Sequence, residues 1–175
     1  MKTQKGCIHI YCGDGKGKTS AGMGLCIRAA GRGKRVLIYQ FLKDNSTGEI
    51  RSLSHLPNVT RLNGPDNVKF SFQMTPAERE ETIQHYRMLL KDLFARSTEY
   101  DLLFLDESVY AVASGLIAEE ELISCLIHRP SHLEVILTGQ NPSDTLLRHA
   151  DYVSHICKIK HPFDRGQPSR EGIEF

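Results

Sequence analysis

Gly13-Asp14-Gly15-Lys16-Gly17-Lys18-Thr19 is the stretch whose reading decides the fold. The apolar run Cys7-Ile8-His9-Ile10-Tyr11-Cys12 precedes it, and Ser20-Ala21-Gly22-Met23-Gly24-Leu25-Cys26-Ile27-Arg28-Ala29-Ala30 follows. This order reads as strand, glycine-rich turn, helix. Glycines open φ > 0 to the turn, so successive backbone N–H groups aim at one point. The helix that begins there adds the positive end of its dipole, and the two together make a phosphate cradle. Lys18 puts a cation on the phosphates, and the Thr19 hydroxyl is placed to bind Mg²⁺. Only three residues separate Gly13 from Gly17, one fewer than in the usual phosphate loop, so a bound polyphosphate is expected in an unusual pose. Glycine- and lysine-rich turns after strands also occur as plain solvated loops. Thr19, the strand before and the helix after together favour nucleotide binding.

Tyr100-Asp101-Leu102-Leu103-Phe104-Leu105-Asp106-Glu107 is the second diagnostic stretch. An apolar run closed by two carboxylates describes a central parallel strand with acids at its C-terminal end. Acids at a strand end serve elsewhere as simple caps. Beside a phosphate loop, Asp106 and Glu107 read as holding Mg²⁺ or its waters.

The remaining pattern alternates strand and helix. Residues 35–42 form a buried strand after Gly31-Arg32-Gly33 ends the first helix, and residues 43–49 form a polar loop bordering the site. A short strand is read at 59–62. Phe70-Ser71-Phe72-Gln73-Met74 is a loop with three large apolar side chains. Thr75 as N-cap, Pro76 at N1 and Glu78 at N3 start a helix to about residue 97, with Ile83, Tyr86, Leu89, Leu90, Leu93 and Phe94 on one face. A helix over 119–128, a strand over 134–139, a short helix opened by Pro142 at N1 and a last strand over 152–159 complete the chain. Such alternation predicts a three-layer α/β fold with a mainly parallel sheet, as one domain over residues 1–175.

Composition sets the outer limits. The 22 basic and 21 acidic side chains nearly cancel, leaving a formal net charge of +1 and no charge asymmetry that calls for nucleic acid or an anionic membrane. Five cysteines, none in C-x-x-C spacing, read as reduced thiols within core elements. Eight histidines invite a metal reading, but His128 and His132 flank Pro130 and cannot share a helical face. With no apolar signal or membrane-spanning run, a soluble cytoplasmic protein is expected.

These pieces together resemble the CobA/BtuR-type ATP:corrinoid adenosyltransferases across nearly the whole chain. The short phosphate loop and the tail Lys160-His161-Pro162-Phe163-Asp164 are the specific matches. Gln40-Phe41-Leu42-Lys43, Leu105-Asp106-Glu107 with Tyr110, Arg129-Pro130, Thr138-Gly139, Ala150-Asp151 and Gly172-Ile173 support them. The resemblance implies a RecA-like P-loop NTPase fold and a reaction in which a Co(I) corrinoid, cobalamin or a precursor, attacks the 5′ carbon of ATP and triphosphate leaves. It implies ATP contacts from Gly13, Asp14, Gly15, Lys16, Gly17, Lys18, Thr19, Ser20 and Arg28, with Lys18 and Glu107 catalytic. Mg²⁺ falls to Thr19 and Glu107, with Asp106 nearby. Phe70 and Phe72 occupy the place of an aromatic pair that packs under the corrin and displaces its lower axial ligand; the family pattern has Trp where Phe72 stands. As plain residues, both phenylalanines read equally well as core.

Family members often carry Arg after the Thr-Gly pair, where this chain has Gln140, so a charge contact is either missing or supplied elsewhere, with Arg148 and Arg28 as the candidates. An N-terminal lid, found in some members, is not expected here. The resemblance also implies a homodimer and a flavoprotein-type electron donor. Two other readings stay open at this level: a generic P-loop ATPase or kinase acting at the γ-phosphate, and a non-catalytic corrinoid or nucleotide carrier.

Overall fold

The computed structural model describes residues 5–65, 68–69 and 71–174. Among the described residues six strands, β1 (Ile8–Cys12), β2 (Val36–Gln40), β3 (Val59–Arg61), β4 (Leu102–Asp106), β5 (Glu134–Thr138) and β6 (Tyr152–His155), form one sheet. Its order is β3-β2-β4-β5-β1-β6, and every pairing is parallel. The helices are α1 (Lys18–Ala30), α2 (Glu49–Leu53), α3 (Pro76–Arg96), α4 (Ser108–Ala113), α5 (Glu119–Ile127) and α6 (Asp144–Arg148). This is the α/β architecture expected of a P-loop protein.

The central strands are apolar on both faces because both faces are covered. Leu37 and Tyr39 of β2, Leu103 and Leu105 of β4, and Val135 and Leu137 of β5 pack under α3 to α6. Val36 and Ile38, Leu102 and Phe104, and Ile136 pack against Met23, Cys26 and Ala30 of α1 and Leu53 of α2. On α3 the buried stripe is Tyr86, Leu90 and Leu93, with Ile83, Leu89 and Phe94 partly buried beside it. Thr75 and Glu78 form a reciprocal capping box, with Pro76 in the first turn.

Several local expectations change. Ser143, not the residue ahead of Pro142, caps α6, and its hydroxyl accepts from Leu146 N–H; Pro142 lies before the cap. Gly31-Arg32-Gly33 ends α1 as expected: Gly31 stays right-handed, and Gly33, at φ 76, makes the turn. β6 stops at His155, because the following residues leave the sheet for the phosphate loop. The polar loop after β2 leads into α2, and α4 follows directly on Glu107; neither helix shows as a clear periodic run in the sequence. All five thiols are free, but Cys157 is exposed rather than core. Burial pushes the Cys26 thiol up to about 12, so it stays protonated. Among the described residues no helix is long and apolar enough to cross a membrane.

Candidate active site

β1 and β4 are not neighbours; β5 lies between them. The loops after β1, β2, β4 and β5 therefore meet at one edge, where ligands of parallel α/β sheets bind. Three non-glycine residues adopt left-handed backbone just past these strands: Leu42 after β2 (φ 56), Glu107 after β4 (φ 57) and Asn141 after β5 (φ 55). Such conformations cost free energy and gather where a chain must turn a side chain towards a site.

Gly17, at φ 116, is the residue before the first turn of α1, a conformation that a side chain would strain. With no side-chain cap at that end, the first N–H groups of α1 face the site. Lys18 folds back on the loop, and its Nζ donates to Gly15 O at 2.8 Å. Thr19 Oγ1 donates to Asp106 Oδ1 at 3.0 Å. Asp106 is fully buried and surrounded by donors. Gln40 Nε2 lies 3.1 Å from Oδ2, Thr138 Oγ1 is 2.5 Å from Oδ1, and Lys43 Nζ reaches Oδ2 at 2.7 Å and Thr19 Oγ1 at 3.1 Å. Buried charge survives only when paired in this way.

Glu107 joins that network through its backbone alone. Its backbone N–H donates to Thr138 Oγ1 at 2.9 Å, and its side chain faces a cavity of about 1060 Å³. Burial first, then the neighbouring Asp106 charge, holds its carboxyl above the usual carboxylate range, against the pull of Lys43 and Lys18. Asp106, the carboxylate the sequence reading placed second, is thus the one that touches Thr19.

The same cavity is lined by Lys16, Gly17, Lys18, Thr19 and Ser20 on one wall, and by Val68, Ser71 and Phe72 on another. Phe72 sits in a short 3₁₀ turn (Ser71–Gln73) and is 78% exposed, so it is not core. Phe70 lies outside the described residues. Gly13, Asp14 and Gly15 face the C-terminal tail: Gly15 N–H donates to Ile156 O at 2.8 Å, and Asp14 Oδ1 accepts Lys158 N–H at 2.9 Å. That Lys158 bond holds the Asp14 carboxyl low.

Arg28 does not join this group. It is exposed in the last turn of α1, about 15 Å along the helix axis from Lys18. Arg148 is also exposed and donates to Thr145 Oγ1. Neither lines the cavity, which Gln140 itself does; among the described residues the lining cations are Lys16, Lys18 and Lys43. Lys43, Gln40 and Thr138 received no role from the sequence. The available signal was a polar residue closing, or just past, an otherwise apolar strand at the same sheet edge.

Comparison with known proteins finds relatives over nearly the whole chain. "Corrinoid adenosyltransferase CobA" of Salmonella typhimurium (strain LT2) is 34% identical over 175 residues, covering 98% of this chain and 87% of that protein. "Corrinoid adenosyltransferase" of Escherichia coli (strain K12) is 32% identical over 184 residues, again covering 98% and 87%. A Pseudomonas aeruginosa protein of the same description is 25% identical, covering 99% and 86%. Residues 4–175 match the family described as ATP:corrinoid adenosyltransferase BtuR/CobO/CobP, and with the phosphate loop, the buried acid and the shared cavity in place, the chain belongs to that family.

Proposed function

We propose that this protein transfers the 5′-deoxyadenosyl group of ATP to a Co(I) corrinoid, complete cobalamin or a precursor, and releases triphosphate. One observation carries the reading: a single cavity of about 1060 Å³ has the phosphate loop on one wall and the exposed Phe72 on another. That volume is at the upper end for small-molecule sites and suits two substrates held side by side.

In the reaction the cobalt lone pair forms a bond to C5′ as the C5′–O5′ bond breaks, and triphosphate leaves with the electron pair. Negative charge grows on the departing chain. Lys16, Lys18 and the N–H groups at the start of α1 line the cavity and would meet that charge. Glu107 and Tyr110 line the cavity beyond the phosphate loop and would position the nucleotide against the corrinoid. Phe72 would pack against the corrin face and keep a lower ligand off cobalt.

The residues fit Mg²⁺. The Thr19 hydroxyl and Asp106 carboxylate are hard oxygen donors 3.0 Å apart, and the Lys43 ammonium touching both marks a place where positive charge is stable. When bound, Mg²⁺ supplies charge neutralisation and Lewis acidity at phosphate oxygens. The same reading carries one α/β domain, a homodimer, a flavoprotein-type electron donor and a cytoplasmic setting.

The test is incubation with ATP, Mg²⁺ and chemically reduced cobalamin, following the absorbance change of cobalt alkylation and identifying the phosphate product. Adenosylcorrinoid with one equivalent of triphosphate is the expected result. ADP and phosphate without a cobalt–carbon bond would replace this reading with a γ-phosphate hydrolase.

A further inference from the structure

The C-terminal tail is fastened to three consecutive residues of the phosphate loop. Beyond β6, Ile156 bridges Cys12 and Gly15 through its backbone, each bond 2.8 Å long. A Cβ on Gly15 would lie 2.8 Å from Cys157 C and O, so the close passage of the tail itself requires glycine there. Lys158 N–H is held by Asp14. The chain then runs through a 3₁₀ turn (Pro162–Arg165), pinned by Lys158 Nζ to Asp164 at 3.0 Å, and returns to the cavity at Gly172, Ile173 and Glu174. There Lys16 Nζ meets Glu174 Oε1 at 3.0 Å.

The surroundings of that carboxylate are specific. Besides Lys16, Arg170 approaches it three times: its backbone N–H at 2.8 Å, Nε at 3.2 Å and Nη2 at 3.0 Å. The Arg170 bonds, then Lys16, hold the Glu174 carboxyl down at about 2, so it is ionised at any working pH. An ammonium, a guanidinium fork and a backbone amide converging on one oxyanion form the donor set that recognises phosphate. They stand at the rim of a phosphate loop, on a residue of that loop.

We infer that Glu174 occupies a phosphate subsite of the cavity, and that an incoming polyphosphate displaces it, leaving Lys16 and Arg170 as phosphate ligands. Arg170 thereby becomes a substrate-binding residue supplied by the tail. The inference rests on reading the loop as the triphosphate site. Exposed ion pairs are individually weak and screened, so a polyphosphate carrying several charges outcompetes a single carboxylate. A tail that carries its own competing anion keeps the loop ordered before substrate arrives and discriminates against ligands with too little charge to displace it.

Calorimetric titration of inorganic tripolyphosphate into the whole protein, with and without Mg²⁺, tests this. The variants are Glu174→Gln, Arg170→Ala and the double variant, each shown folded by circular dichroism. Glu174→Gln should bind tripolyphosphate about three- to tenfold tighter, because the competitor is gone while both cations remain. Arg170→Ala introduced into Glu174→Gln should weaken binding about threefold or more, since Arg170 then acts only on phosphate. Unchanged or weaker binding by Glu174→Gln overturns the inference, as does a neutral Arg170→Ala in that background. Failure of the wild-type protein itself to bind tripolyphosphate would instead remove the phosphate-loop reading beneath it.

Discussion

Lys43 Nζ lies 2.7 Å from Asp106 Oδ2 and 3.1 Å from Thr19 Oγ1, so an ammonium from the loop after β2 bridges the two groups proposed above to hold Mg²⁺. The lysine side chain is 24% exposed and the aspartate fully buried. Removing the cation leaves a buried carboxylate with only neutral donors from Gln40, Thr138 and Thr19. Lys43→Met should lower the stability of the ligand-free protein by about 1–3 kcal/mol, less than for a fully enclosed pair because water reaches the lysine. Thermal melts with and without Mg²⁺ check this: Mg²⁺ should raise the melting temperature more in the variant than in the wild type. An unchanged ligand-free melt would mean the pair supports nothing.

Thr138 joins both acids, through Asp106 Oδ1 and through the Glu107 backbone N–H. Thr138→Val keeps the shape and removes the hydroxyl, leaving that amide without its acceptor. A loss of about 1–3 kcal/mol is expected by chemical denaturation. Thr138→Ser should restore most of it, and equal losses in both variants would point to packing instead.

Lys18 makes its bond to a loop carbonyl at the cavity rather than to the core. Lys18→Ala should therefore leave the melting temperature nearly unchanged while lowering turnover on the order of 10²- to 10³-fold, the scale for losing one preorganised charge-stabilising donor. Wild-type turnover by this variant would remove Lys18 from the mechanism.

Glu107 carries a carboxyl held above its unfolded value by burial and by Asp106. A raised carboxylate costs stability at pH values above its folded pKa, and that cost disappears as pH falls through it towards the ordinary value. Glu107→Gln should thus melt higher than the wild type at neutral pH, with the gain shrinking as pH falls through the folded pKa. Its adenosylation activity should fall at every pH. A stability difference independent of pH would contradict the assignment.

Phe72 is largely exposed, so Phe72→Ala should change stability by no more than about 0.5 kcal/mol. Turnover starting from Co(II) corrinoid under a mild reductant should drop far more than turnover from pre-reduced Co(I). Equal losses would assign Phe72 to general binding and not to control of the axial ligand.

The sequence alone determined the elements whose signals are local. Continuous apolar runs made β2, β4 and β5 readable, the Thr75–Glu78 pair announced α3, and the strand–glycine–helix order marked β1 and the start of α1. Tertiary structure decided which side chains meet. Thr19 and Asp106 are 87 residues apart, Lys43 and Asp106 63, Lys16 and Glu174 158. Each meeting depends on strand order and on the tail returning across the sheet edge. Choosing Asp106 over Glu107 as the partner of Thr19 turns on one left-handed residue at the end of β4. Local periodicity specifies which face of an element is buried; it does not specify which loops a parallel sheet gathers at its C-terminal edge.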